Sequence, residues 1–244
     1  MGDFMIRAVL FDLDNTLLLN DMQTFMPGYF GLLRQHVPPL FEADGFIREV
    51  LHCTQVMMAD KDTAVSNRDT FWAAFGERTN GDRAMLEAHF EGFYRDQFPQ
   101  LQALTQNLPQ AADLIRSCLQ AGLQVVIATN PVYPRQAVEH RLVWAGVPVT
   151  AFSYALVTDY ENMHATKPHL AYYEEILDKI DCLPEQALMV GDNWENDIAP
   201  AARLGLFTYW IDLEGQAPPE PAMVTDYGSF ERLCVLLTSG WLRP

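Results

Sequence analysis

Asp12 and Asp14 stand two residues apart at the end of a short apolar run. In an extended chain, side chains two apart point the same way, so the two carboxylates can converge on one point. One of them can then act as nucleophile and metal ligand. The other, kept partly protonated by its neighbour's charge, can donate and accept a proton. Alone, such a pair equally suits a loop or a helix cap.

Three further clusters bear on the same chemistry. Thr129-Asn130-Pro131 follows the apolar residues 125–128 and offers a hydroxyl and free backbone N–H groups where a helix is about to start, a corner suited to an oxyanion. Lys167 precedes Pro168, which biases the lysine to an extended backbone and lets the proline open the next helix. Gly191-Asp192 through Asn196-Asp197 places two more carboxylates around a glycine-led turn, and hard oxygen ligands suit magnesium. Taken singly, these read as a Thr or Asn cap, a solvated lysine and an acidic turn. In one chain, in this order and each at the carboxyl end of a predicted strand, they have one common explanation. A parallel sheet gathers them in one crevice.

The elements that must position them follow from hydrophobic patterning. Residues 7–11 read as a buried first strand, and residues 125–128, 151–157, 187–190 and 207–211 as later ones. Between them the pattern predicts helices after Pro109, Val132, Pro168 and Glu195, the first stopping at Gly122, with a short strand and final helix at the carboxyl end. The proline-rich stretch beginning at Glu214 reads as a surface loop. Repeated strand-helix-strand units imply an α/β fold, a parallel sheet with helices on both faces. Residues 18–104 differ: their apolar positions, such as Phe46, Val50, Leu51, Phe71, Trp72 and Phe75, recur at helical intervals with no convincing strand. This segment is an inserted helical lobe. Its aromatic trio reads as core of that lobe, and its Arg34, Arg48, Arg68 and Arg95 as solvated or salt-bridged.

A chain of 244 residues is long enough for such a core and a smaller lobe. The formal net charge of -16 argues against a nucleic-acid or anionic-membrane partner, which clustered Lys and Arg would attract. A phosphate substrate would therefore need locally placed positive charge. Cys53, Cys118, Cys182 and Cys234 are scattered and suggest neither a zinc site nor a disulfide framework, in keeping with a reducing cytoplasm. Gly2 follows Met1, but Ile6 stands where a myristoylation signal needs Ser or Thr, and the first apolar run is too short to span a membrane. Nothing in the pattern separates monomer from homodimer.

The four clusters together resemble the motifs of the haloacid dehalogenase-like (HAD) superfamily: Asp12-Leu13-Asp14-Asn15-Thr16, Thr129-Asn130, Lys167-Pro168, and Gly191-Asp192 with Asn196-Asp197. The resemblance implies a doubly wound, Rossmann-like core formed by residues 1–17 and 105–244, with an all-helical cap domain over 18–104. It also implies a magnesium-dependent phosphohydrolase acting on a small phosphate monoester. Asp12 would be the nucleophile and Asp14 the general acid/base. Thr129 and the Asn130 N–H would hold phosphoryl oxygens and Lys167 would neutralise charge. Mg2+ would bind Asp12, the Asp14 carbonyl and Asp192, with Asp197 at the metal or orienting a ligand. A phosphomutase or phosphotransferase would share these core residues, a dehalogenase typically lacks an acid at the second position, and a non-catalytic relative would be expected to lose the nucleophile or the lysine.

Overall fold

The computed structural model describes residues 6–79, 81–213 and 215–241; Gly2 and Glu214, named above, lie outside them. From the amino end the chain runs β1 (Ala8–Phe11), β2 (Leu18–Asn20), the helices α1 (Met22–Gln35), α2 (Ala43–Ala59), α3 (Asn67–Thr79) and α4 (Arg83–Asp96), a 3-10 helix (Phe98–Leu104) and β3 (Thr105–Asn107). It continues through α5 (Pro109–Gln120), β4 (Gln124–Ile127), α6 (Arg135–Trp144), β5 (Leu156–Val157), α7 (Leu170–Lys179), β6 (Ala187–Gly191), α8 (Ala199–Leu204), β7 (Phe207–Ile211), β8 (Asp226–Gly228) and α9 (Phe230–Thr238).

Six strands pair in the order β5-β4-β1-β6-β7-β8, all parallel. Burial on both faces explains why β1, β4 and β6 read as unbroken apolar runs. Side chains alternate between the faces. Val9, Phe11, Val125, Ile127, Leu188 and Val190 pack toward α5, α6 and α9, while Ala8, Leu10, Val126 and Met189 pack toward α7 and α8. With β1 flanked by β4 and β6, the strand order reverses at the centre of the sheet, and the crevice outside its carboxyl ends opens beside Asp12.

The expected helix boundaries follow from local chemistry. Pro109 occupies the first turn of α5, where its missing N–H costs nothing, and Gly122 takes a φ of 79° just beyond the helix end. Two expectations need correction. Residues 18–104 are not purely helical, because β2 and β3 pair antiparallel across the two ends of the insertion, Leu18 opposite Asn107 and Asn20 opposite Thr105. A three-residue strand carries too little periodicity to be read. The strand expected over 151–157 is reduced to Leu156–Val157, an edge strand with β4 as its one partner.

The four helices of the insertion enclose an aromatic core of their own. Phe75 lies 5.9 Å from Phe46 edge-on and 5.5 Å from Phe71 in a stack, and Trp72 meets Phe90 edge-on at 5.7 Å. This layer rests against the loops that follow β4 and β5. The Asn67 side chain donates to the carbonyls of Pro131 and Ala165, each at 3.2 Å, and the Arg68 N–H donates to the Tyr160 carbonyl at 2.7 Å. Among the described residues no helix is long and apolar enough to cross a membrane.

Candidate active site

Asp12 stays in the sheet at the backbone level, its N–H donating to the Val190 carbonyl at 2.9 Å. The chain then folds back. The Leu13 carbonyl accepts from the N–H groups of Thr16, Leu17 and Leu18, and Asn15 takes a left-handed φ of 58°. Asparagine tolerates that conformation better than most residues. Asp12 and Asp14 consequently line the same cavity but engage different partners.

The Lys167 ammonium sits between two carboxylates, 2.7 Å from Asp12 Oδ1 and 2.6 Å from Asp197 Oδ1, and is almost wholly buried. Its backbone is fixed by Asn130, whose Oδ1 accepts from the Lys167 N–H at 3.1 Å. Pro168 precedes α7 by two residues instead of occupying its first turn, which begins at Leu170. The other oxygen of Asp197 accepts the Asn193 N–H at 3.1 Å. Burial works against the Lys167 charge, yet Asp12 and Asp197 outweigh it and hold the ammonium well above its ordinary pKa. Burial likewise raises Asp12 far above the usual carboxylate range; Lys167 pulls it back, and Asp197, Asp192 and Asp14 push it up again. Asp192 is lifted to about 6 by burial and by Asp197.

Asp12 and Asp192, both raised by burial and by the acids around them, would be favoured in their charged forms by positive charge beyond that of Lys167. Carboxylate oxygens of Asp12, Asp192 and Asp197 lie within 4.8 Å of one another, and an all-oxygen set of this kind suits a hard divalent cation. Both oxygens of Asp197 already have donors, Lys167 and the Asn193 N–H, so its geometry favours orienting the lysine over ligating a metal directly. The Asp14 carboxylate does not join this group. Its Oδ1 accepts from Asn20 Nδ2 at 2.9 Å and its Oδ2 from Arg141 Nη1 at 2.5 Å.

Thr129 and Asn130 border the cavity where they were expected. The Thr129 carbonyl is pinned by the hydroxyls of Thr158 at 2.6 Å and Tyr172 at 2.9 Å, which fixes the loop at the end of β4. Sequence reasoning missed Arg141 and Asn20. Arg141, buried on α6, also lies over the Tyr133 ring at 4.8 Å. A single arginine within a helix gives no signal of its own. Asn20 sits in the unexpected strand β2.

The chain is 26% identical over 217 residues to the pyrophosphatase PpaX of Bacillus cereus, a match that spans 87% of each sequence. Its fold is like that of a HAD phosphatase from Thermococcus onnurineus, with a TM-score of 0.58 over 95% of this chain and 98% of that one at 19% identity. An L-2-haloacid dehalogenase has a TM-score of 0.57, covering 96% of this chain and 99% of its own at 17% identity. Phosphatases and dehalogenases thus share this architecture, and the fold alone does not choose between them. Residues 6–205, a stretch that contains all four clusters, match the haloacid dehalogenase-like hydrolases, and the chain belongs to that family.

Proposed function

We propose that the protein is a magnesium-dependent phosphohydrolase that transfers the phosphoryl group of a small monoester to Asp12 and then to water. The observation that carries this reading is the Lys167 ammonium bridging Asp12 and Asp197 beside Asp192, with Asp14 on the same cavity. Phosphoryl transfer asks chiefly for in-line positioning and neutralisation of oxygen charge. A divalent cation held by Asp12 and Asp192 would supply positive charge to the phosphoryl oxygens and let the crowded carboxylates ionise together.

An Asp12 carboxylate oxygen attacks phosphorus while the ester P–O bond breaks, and the departing oxygen takes a proton from Asp14. Asp14, now ionised, accepts a proton from water, whose oxygen attacks the same phosphorus and releases the Asp12 carboxylate and inorganic phosphate. Lys167 offsets the charge gathering on the phosphoryl oxygens, and Thr129 with the Asn130 N–H completes their cradle. The acid at position 14 separates this reading from a dehalogenase, which needs neither a proton donor there nor a metal. Residues 18–104 would form a cap over a core built from 1–17 and 105–244, closing the crevice against bulk water.

The test is release of inorganic phosphate from a panel of small monoesters by the wild type and Asp12→Asn, each with Mg2+ and with EDTA. Turnover that needs both Asp12 and Mg2+ is expected. Release indifferent to the substitution and the chelator would exclude this mechanism.

A further inference from the structure

The cavity that begins at Asp12 encloses about 430 Å³ and runs into the helical insertion. That volume lies within the usual range for a small-molecule site. At its inner end it meets Asp12, Lys167 and Asp192; at its outer end the wall is apolar, with Met22, Met26, Phe30, Leu51, Phe71 and Trp72 facing the space. Phe71 and Trp72, expected as core of the insertion, are both that core and part of this wall.

The charges and polar groups that could recognise a hydrophilic leaving group are absent from this wall, already committed, or, like Trp72 Nε1, buried below its surface without a partner. No Lys or Arg of the insertion lines the cavity among the described residues. Arg34, Arg68 and Arg95 are paired elsewhere, with Asp44, Glu87 and Asp96. The insertion contributes three hydroxyl side chains to the lining, Tyr29, Thr54 and Tyr94, besides the indole N–H of Trp72. The two tyrosine hydroxyls bond each other at 2.9 Å, and Thr54 Oγ1 donates to the Val50 carbonyl at 2.8 Å. From the core, Tyr133 turns its hydroxyl toward Met26 Sδ at 3.7 Å. Arg141 is the remaining cation in this lining apart from Lys167; its Nη1 is paired with Asp14, and its Nε and Nη2 are buried without a partner.

A sugar or a second phosphate entering this space would lose hydrogen bonds to water without gaining replacements, at a cost of several-fold in binding for each group. A hydrocarbon or aromatic group would gain from burial. We infer that the site selects phosphate monoesters whose alcohol is uncharged and apolar, an alkyl or aryl group of up to roughly the size of the cavity, over sugar phosphates and inorganic pyrophosphate. This deepens the phosphohydrolase reading and rests on it.

The test is kcat/KM for the n-alkyl series ethyl, butyl and hexyl phosphate, beside glucose 6-phosphate and pyrophosphate, all with Mg2+. These alkyl leaving groups have nearly equal basicity, so a trend with length reports burial and not chemistry. The expected rise is about fourfold per added methylene, with both hydrophilic compounds below hexyl phosphate. Leu51→Lys is a suitable variant because that side chain is partly exposed in the free protein. With folding verified by its melting transition, it should flatten the rise with chain length. A flat or falling series, with glucose 6-phosphate or pyrophosphate cleaved faster, would overturn the selectivity while leaving the phosphohydrolase intact. No phosphate from any compound would overturn the phosphohydrolase reading and this inference with it.

Discussion

Arg141 and Asp14 meet at 2.5 Å across 127 residues of sequence, guanidinium against carboxylate, at the rim of the Asp12 cavity. With Asn20 on its other oxygen, the Asp14 carboxyl group has a fixed direction in the cavity. To protonate a leaving group it must loosen from at least one of these donors. Arg141 is therefore a positioning residue for the proposed acid/base.

Replacing it tests that role. Arg141→Met should lower kcat by about a hundredfold with little change in KM, because a misdirected proton donor affects the transition state more than substrate binding. Steady-state phosphate release on a folded variant, checked by circular dichroism, measures both constants. An unchanged kcat, or a loss confined to KM, would reassign Arg141 to structure or to substrate contact.

Gly191 makes a second prediction. A β-carbon there would lie 2.3 Å from Asp197 Oδ2 and 2.5 Å from its Cγ, closer than real atoms approach. Gly191→Ala should therefore drive Asp197 away from Lys167, costing about 1–3 kcal/mol in overpacking and about a hundredfold in kcat. Urea denaturation and phosphate release read the two effects separately. Full activity in Gly191→Ala would mean that the Asp197–Lys167 contact is dispensable.

Lys167→Met strips the ammonium from between two buried carboxylates. Breaking a buried pair by removing one partner costs about 3–5 kcal/mol, so the metal-free variant should unfold at distinctly lower urea. Mg2+ should recover part of the loss, since a cation bound to the native state alone stabilises it. Denaturation curves with Mg2+ and with EDTA provide the comparison. Equal curves in the two conditions would argue against a metal at these carboxylates.

Alkaline pH should weaken the fold. Burial, with smaller effects from neighbouring charges, raises Cys118 to about 12, Cys53 and Cys234 to about 11 and Tyr29 to about 12. Each keeps its proton in the native state at a pH where the unfolded chain, with thiols near 9.0 and tyrosine near 10.0, has lost it. The native state then binds more protons, so stability falls as pH rises. These groups contribute fully below pH 9 and progressively less toward pH 11 to 12. Equilibrium unfolding from pH 7 to pH 11 should show a plateau followed by a decline. Rising stability above pH 9 would contradict this account.

The long-range design was legible because its signals are local. Each strand buried on both faces is a short apolar run, and the clusters of Asp12 and Asp14, of Thr129 and Asn130, and of Asp192 and Asp197 sit where β1, β4 and β6 end; Lys167, ten residues beyond the edge strand β5, was named from its place beside Pro168. What connects them was not legible. The Asp14–Arg141 pair joins the first loop to a helix with no motif of its own, and β2 is three residues long. Whether Phe71 and Trp72 face a cavity or a core depends on how four helices pack, which their spacing does not encode. The close approach of Asp197 to Gly191 likewise arises from the turn between them.

In the proposed reaction a phosphoryl group passes through Asp12. Enzyme mixed with a rapidly cleaved monoester and Mg2+, quenched in acid during turnover and digested, can be mapped for acid-stable phosphate on a peptide. The account predicts label on the peptide carrying Asp12, lost in Asp12→Asn and absent when EDTA precedes the substrate. Brisk phosphate release with no label on that peptide, or label on another residue, would contradict it.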